Sequence, residues 1–476
     1  MDERVKTDVL VVGGGPGGRV SYMALKQFGV ADVKMVANEE PTVICSLPYG
    51  IGRRLVPEGP EAVVVDLTRS HRLPPTILQD VLQGNCVELD LDRREAMVQG
   101  KGGTKTVTFE HLVLAPGAVP WIPPVEGVLG GKGAETGTGI LYGDEWVDKG
   151  RLAENVFVLR GANDARRLDA FASKRGKAVV VGTGAIGLET AEALADRGVS
   201  VVLVEALPHA VAALDGDMAL RLEERLAARN VKVFKSARVD RVLPEGLKLE
   251  DGTLLEADGI VFATGVRPDL RLAKQAGLSI EKGIRVDSRM QTSHPRVFAV
   301  GDAVQVTDAA TGAGILPLIG TLAMRQAMVA AANIAGRAME LPPVTAWGVS
   351  EIFGLHWGSV GWTEEMAKRE GIPVAALSQP VRTRDPFMPE GREGTWKLVV
   401  AAAQHGSVKP GQILGFQVVQ EGDSPLFLAE RFLDIIARRE TVTDLFAHYF
   451  IHSPAHNAVD DPYLGLLGQA MRMFGQ

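Results

Sequence analysis

The chain carries two cysteines, and one of them, Cys45, stands in the run Pro41-Thr42-Val43-Ile44-Cys45-Ser46-Leu47-Pro48-Tyr49-Gly50. A thiolate attacks disulfides and polysulfides. With no second cysteine near it, a redox role for Cys45 would run through a mixed disulfide, a persulfide or a sulfenic acid rather than an internal disulfide. Residues Cys45 to Leu55 read as a helix, whose unpaired N-terminal amides would favour the thiolate. Cys86, in Asn85-Cys86-Val87-Glu88-Leu89, reads as a buried strand position.

Two glycine-rich turns supply the second kind of chemistry. Val9 to Val12 is a short β-rich run, followed by Gly13-Gly14-Gly15-Pro16-Gly17-Gly18 and then by Val20 to Phe28 at helical spacing. In such a strand, turn and helix, Gly13 permits the turn and Gly15 lets a pyrophosphate approach the backbone. Gly18 lets helix and strand pack closely, and the helix N-terminus holds the phosphates. Ala178 to Val181 leads likewise into Gly182-Thr183-Gly184-Ala185-Ile186-Gly187, a helix from Leu188, and a strand from Ser200 that ends at Glu205. An acid at that place accepts from a ribose 2′-hydroxyl and repels a 2′-phosphate, which favours NADH over NADPH. At the first turn the strand from Val33 ends in Ala37-Asn38-Glu39-Glu40, where Asn38 or Glu39 is the candidate ribose ligand.

The elements that position these residues need several cores. A chain of 476 residues implies two or three domains, and 46% hydrophobic residues with 54 glycines fit an α/β enzyme. A net charge of -7 argues against a nucleic-acid partner, which requires clustered Lys and Arg. The charged N-terminus lacks a signal-peptide pattern, and the cysteine usage suits a reducing compartment, so a cytoplasmic protein is expected. No apolar run reaches the roughly 20 residues that span a bilayer, so no membrane role is expected.

Two such nucleotide folds, the second interrupting the first, resemble the flavin-dependent pyridine nucleotide-disulfide oxidoreductases. His111-Leu-Val-Leu-Ala-Pro-Gly-Ala-Val-Pro120 and Gly259-Ile-Val-Phe-Ala-Thr-Gly-Val-Arg-Pro268 are similar to the family's two interdomain segments, with Pro116 where threonine is usual. Thr292-Ser-His-Pro-Arg-Val-Phe-Ala-Val-Gly-Asp302 is similar to its third flavin motif. The resemblance implies FAD and NADH as cofactors, with Asp302 on the ribityl hydroxyls and Gly301 giving backbone access. It also implies a helix opened by Leu316 to Thr321, Leu318 among them, whose amides face the flavin pyrimidine. Glu189 is the candidate for orienting the nicotinamide carboxamide.

The fold so implied is α/β, with two Rossmann-like domains and a C-terminal α+β dimerisation domain. The expected boundaries are 1–125 with 266–337 for FAD, 155–265 for NADH and 343–476 for dimerisation. The glycine-rich stretch 127–150 reads as a surface loop, and the apolar tail Leu464 to Phe474 as a packing helix. The resemblance implies a homodimer in which each subunit completes its partner's site. His452, in Ala447-His-Tyr-Phe-Ile-His-Ser-Pro-Ala-His-Asn457, falls near a tyrosine of coenzyme A-disulfide reductases and could either protonate a leaving thiolate or serve only in interface packing. With no Cys or acid at ligand spacing, these three histidines do not read as a metal site.

Pro48 and Tyr49, with Gly50 where no second redox cysteine stands, match the family's single-cysteine subgroup. Its oxidases and peroxidases usually carry a histidine where this chain has Pro16, and a gating tyrosine is common where it has Ala185. The expected activity is therefore NADH-dependent reduction of a disulfide or polysulfide through FAD and Cys45. An NADH oxidase or peroxidase, or a reductase of a quinone or protein acceptor that leaves Cys45 idle, is the alternative.

Overall fold

A computed structural model describes residues 3–65 and 77–474 of the chain. The strand Glu3–Val12 lies between the parallel strands Val33–Ala37 and Gly103–Leu114 in a seven-stranded sheet. Val9, Leu10, Val11 and Val12 are all buried, the continuous apolar run of a strand covered on both faces. Val297–Ala299 pairs in parallel with Gly103–Leu114, so a segment from far along the chain joins the same sheet. The helices Pro16–Gln27 and Gly320–Ile334 pack against each other over it.

A second, five-stranded parallel sheet has the order Val156–Phe157, Gly259–Phe262, Lys177–Val181, Ser200–Val204, Lys232–Phe234. Between the two sheets, Ala118–Ile122 and Val266–Pro268 run antiparallel, carrying the chain across twice. Residues 347–421 form a five-stranded antiparallel sheet covered by the helices Leu426–Ala437 and Pro462–Phe474. Its core centres on Trp396, Phe416 and Phe432, the last two stacked at 3.7 Å. Together these units form an α/β fold with two Rossmann-like sheets and a C-terminal α+β unit.

Three local expectations are corrected. The stretch 127–150 is not all loop: Gly139–Tyr142 and Glu145–Asp148 form a hairpin on Ala118–Ile122, because Asp148 accepts from the amides of Thr136, Gly137 and Gly150 and folds the glycine-rich chain back. The helix after Cys45 runs only Leu47–Gly52, stopped by Arg53 at φ 63°. Cys86 is half-buried at the margin of the first core rather than inside it.

Among the described residues no helix is long and apolar enough to cross a membrane, and no group of three or more His, Cys, Asp and Glu could hold a metal ion.

Candidate functional site

The two glycine turns share one plan. Gly13 (φ 122°) donates to Val36 O at 2.9 Å, and Gly182 (φ 100°) donates to Val204 O at 2.8 Å. A Cβ at Gly13 would lie 2.0 Å from Ala115 O, and one at Gly182 would lie 2.4 Å from Ala263 O. Gly18 and Gly187 are closed by the first glycine of their own turn: a Cβ would meet Gly13 O at 1.8 Å and Gly182 O at 2.1 Å. Gly15 and Gly184 differ, since a Cβ there would meet nothing of the protein within 4 Å. Packing therefore does not demand glycine at these two positions, whereas close approach of a phosphate does. Each is the N-cap of its helix without a side-chain cap, so the first-turn amides stay open to an anion.

Glu205 closes over the second turn. Its Oε2 accepts from Thr183 N at 2.9 Å and Thr183 Oγ1 at 2.7 Å, and its Oε1 accepts from Leu207 N at 2.9 Å. At the first turn Asn38 is exposed and donates to Asn85 Oδ1 at 2.6 Å and Gly137 O at 3.0 Å, which ties it to the glycine-rich stretch. Glu39 is exposed beside Gly161.

Gly301 (φ 87°) donates to Gln326 Oε1 at 2.7 Å and is followed by Asp302. Asp302 has 19% of its side-chain surface exposed, and its one hydrogen bond among the described residues is the 3.5 Å contact from Arg160 Nη2. Burial pushes this carboxyl above its usual range against the pull of Arg160. An under-partnered carboxylate of this kind suits hydroxyl donors, so the residues fit a flavin dinucleotide. Leu318 holds φ 56° just before the helix Gly320–Ile334, a conformation that non-glycine residues reach only when the surroundings impose it.

Cys45 lies in the single turn Ile44–Ser46, ahead of the helix Leu47–Gly52. Leu47 and Ile51 are fully buried in the same cluster as Leu188 and Leu194. A Cβ at Gly52 would lie 3.0 Å from Ala193 Cα, so only glycine lets the helix Ala185–Asp196 come this close. Solvent reaches Cys45, yet protein shields enough of the thiol that burial pushes its pKa up. The Glu189 carboxylate adds to that, Arg160 pulls the other way, and Asp302 raises it again. The helix Leu47–Gly52 starts after Cys45 and spans six residues, and the Glu189 and Asp302 carboxylates oppose the thiolate.

Glu189 is held from both sides. Its Oε1 accepts from Tyr49 Oη at 3.1 Å and from Ser350 Oγ at 2.6 Å, the latter reaching in from the C-terminal sheet. Burial raises the Glu189 carboxyl above its usual range, opposed by these two hydrogen bonds. Beside it, burial pushes Glu192 to about 7 against the pull of Arg54, which bonds Glu192 at 3.2 Å and Glu351 at 3.1 Å.

His452 is exposed in an irregular segment, and its side chain makes no hydrogen bond among the described residues. His448, by contrast, lies between Glu440 and Arg431. Arg160, Ser350 and Thr183 are the residues that sequence reasoning missed. Arg160 could have been suspected as a basic residue between the strand Val156–Phe157 and the helix Ala162–Ala172. Nothing in the sequence marks Ser350.

Comparison with known proteins accords with this architecture. The family model described as pyridine nucleotide-disulphide oxidoreductase matches residues 7–332. An NADH oxidase of Methanocaldococcus jannaschii is 30% identical over 467 residues, covering 95% of this chain and 96% of that protein. An NAD(P)H coenzyme A polysulfide/persulfide reductase of Pyrococcus horikoshii is 27% identical over 489 residues, covering 98% and 99%. Among solved structures, an NAD-dependent persulfide reductase from A. fulgidus superposes with a TM-score of 0.85 at 27% identity, covering 98% of this chain and 83% of its own. Extending over most of the chain and both glycine turns, the match makes this protein a member of the pyridine nucleotide-disulphide oxidoreductase family, flavoprotein oxidoreductases that use FAD and a pyridine nucleotide.

Proposed function

We propose that the protein is an NADH-dependent reductase of sulfur–sulfur bonds, working as a homodimer with Cys45 as its one redox thiol. The observation that carries the reading is the setting of Cys45. It lies directly ahead of the helix Leu47–Gly52, whose Tyr49 bonds Glu189 on the helix of the second glycine turn at 3.1 Å, while Arg160 and Asp302, 3.5 Å apart beside the residues that fit a flavin, act on its thiol. FAD bound there would pass two electrons from NADH to sulfur.

The chain's own residues supply the rest. Gly13, Gly15 and Gly18 with Asp302 and Gly301 would hold the FAD, Asn38 or Glu39 would meet its adenosine ribose, and Leu318 would offer backbone to the flavin. Gly182, Gly184 and Gly187 hold the NADH pyrophosphate, and Glu205 accepts from the ribose, disfavouring NADPH. Glu189, fixed by Tyr49 and Ser350, orients the carboxamide. The Cys45 thiolate attacks one sulfur of the substrate, forms a mixed disulfide and expels the other sulfur as a thiolate; the two electrons that bound FAD would relay from NADH would then cleave the mixed disulfide, freeing the second thiolate and restoring Cys45. His452 of the partner subunit gives that thiolate its proton.

Two features support the dimer. Phe387, Phe427, Phe446, Tyr449 and Ile451 are each 73% to 83% exposed, all on the C-terminal unit, and exposed large apolar side chains in this number support a partner chain there. His452 follows directly in that segment.

The substrate class is a small disulfide or polysulfide, a coenzyme A disulfide or inorganic polysulfide. The Pyrococcus horikoshii relative's name points the same way, whereas the Methanocaldococcus jannaschii relative's name favours oxygen as acceptor. Following NADH consumption with coenzyme A disulfide, polysulfide, peroxide, oxygen and quinone in turn separates these. The reading requires the sulfur compounds to be turned over fastest.

A further inference from the structure

Between Glu205 and the helix Gly216–Ala228 runs a loop with no part in the scheme above. His209 in this loop is 7% exposed, and both its ring nitrogens face acceptors. Nδ1 lies 2.9 Å from Ala210 O, and Nε2 lies 3.0 Å from Glu365 Oε2. Two acceptors are satisfied together only by a ring that carries two N–H groups, the imidazolium. The other Glu365 oxygen accepts from Gly216 N at 3.1 Å. Glu365 stands in the first turn of the helix Glu364–Arg369, which Asp215 also holds by accepting from Glu364 N at 3.1 Å and Glu365 N at 3.0 Å. The loop is thus fastened to the C-terminal unit at two points.

Two residues beyond His209, Val211 is fully buried with φ 62°. A β-branched residue avoids this left-handed region unless its surroundings hold it there. Here Val211 N donates to Thr183 Oγ1 at 3.2 Å, and Thr183 Oγ1 in turn donates to Glu205 Oε2 at 2.7 Å.

We propose that His209 is a positioning residue for the pyridine nucleotide: clamped as an imidazolium to Glu365, it holds Val211 left-handed, and Val211 fixes the Thr183 hydroxyl and through it the Glu205 carboxylate. The inference rests on the reading of Gly182 to Gly187 and Glu205 as the NADH site. It makes nucleotide affinity depend on pH through a group that never touches the nucleotide.

The groups around His209 set the direction. Burial opposes its charge, but the Ala210 carbonyl and the hydrogen bond and charge of Glu365 outweigh it, with Glu223 adding to them, so its pKa stands above the usual 6.5. Glu223, on the helix Gly216–Ala228, accepts from Ala210 N at 2.9 Å and pairs with Lys235 at 2.6 Å. Asp215 and Lys397, 3.1 Å apart, pair at the far end of the loop. The clamp is complete while the ring is protonated and opens as pH rises through the raised pKa.

Calorimetric titration of the FAD-loaded protein with NAD+ from pH 6 to pH 9 tests this, on the wild type, His209→Gln and Glu365→Gln. The wild-type Kd is expected to rise by about fivefold or more over that range. His209→Gln should bind weakly with no pH dependence, and Glu365→Gln should move the transition to lower pH. A wild-type Kd that is flat with pH, or a His209→Gln protein that loses thermal stability but keeps the wild-type slope, would overturn the inference. Failure of the wild type to bind NAD+ at any pH would instead remove the nucleotide reading on which it rests.

Discussion

Arg160 sets its Nη2 3.5 Å from Asp302 Oδ2 while its Nε donates to Ala118 O at 3.1 Å. The cation that favours the Cys45 thiolate is therefore anchored on a carboxylate that opposes it. Replacing Arg160 by Gln leaves Glu189 and Asp302 unopposed, so alkylation of Cys45 by iodoacetamide should slow at pH 7 and its pH profile should move upward. An unchanged profile would mean that Arg160 does not govern the thiol.

The glycines of one turn should separate into two kinds. Gly18→Ala drives a Cβ to 1.8 Å from a backbone oxygen and should destabilise the apoprotein by about 1–3 kcal/mol or more. Gly15→Ala meets no protein atom within 4 Å, so the apoprotein should keep its melting temperature and lose only FAD affinity. Melting curves with and without added FAD check both variants, and equal destabilisation of the two apoproteins would contradict the assignment.

Glu205→Ala frees Thr183 N, Thr183 Oγ1 and Leu207 N from their acceptor. The kcat/KM ratio of NADH to NADPH should then fall by about tenfold or more, since repulsion of a 2′-phosphate is lost with a charge-assisted bond. An unchanged ratio would place cofactor choice elsewhere.

These residues show what was legible in the sequence. The glycine turns could be read because their demands are local: a positive φ, a close strand–helix contact and an open approach each exclude a side chain within six residues. Ser350 could not be read, since it meets Glu189 only after 161 residues of chain have folded around it. The hairpin within 127–150 was hidden because one carboxylate, Asp148, organises a stretch whose composition reads as loop. The early end of the helix after Cys45 is not legible because Arg53 takes a left-handed conformation that its side chain does not announce.

Lys397 and Asp215, each with 3% of the side chain exposed, are 3.1 Å apart where the second sheet's unit meets the C-terminal one. Lys397→Met should cost about 3–5 kcal/mol in urea denaturation at pH 7, because it strands a buried carboxylate. Burial alone would raise the Asp215 pKa, but the Glu365 amide, Gln417 and Lys397 lower it below its usual 3.8. Its stabilising contribution is therefore present above the unfolded value and lost as pH falls through the folded one. The penalty of Lys397→Met should shrink as pH falls into the acid range and Asp215 protonates, because the neutral carboxyl no longer needs its partner. A pH-independent penalty would refute this.

The proposed route takes electrons out through Cys45 to sulfur. It is tested most directly by the rate of NADH oxidation by the Cys45→Ser protein with polysulfide or coenzyme A disulfide, measured beside its FAD content and its reduction by NADH. The prediction is a loss of sulfur-dependent turnover of about a hundredfold or more, with FAD content and reduction by NADH retained. Turnover at the wild-type rate without the thiol would contradict the account.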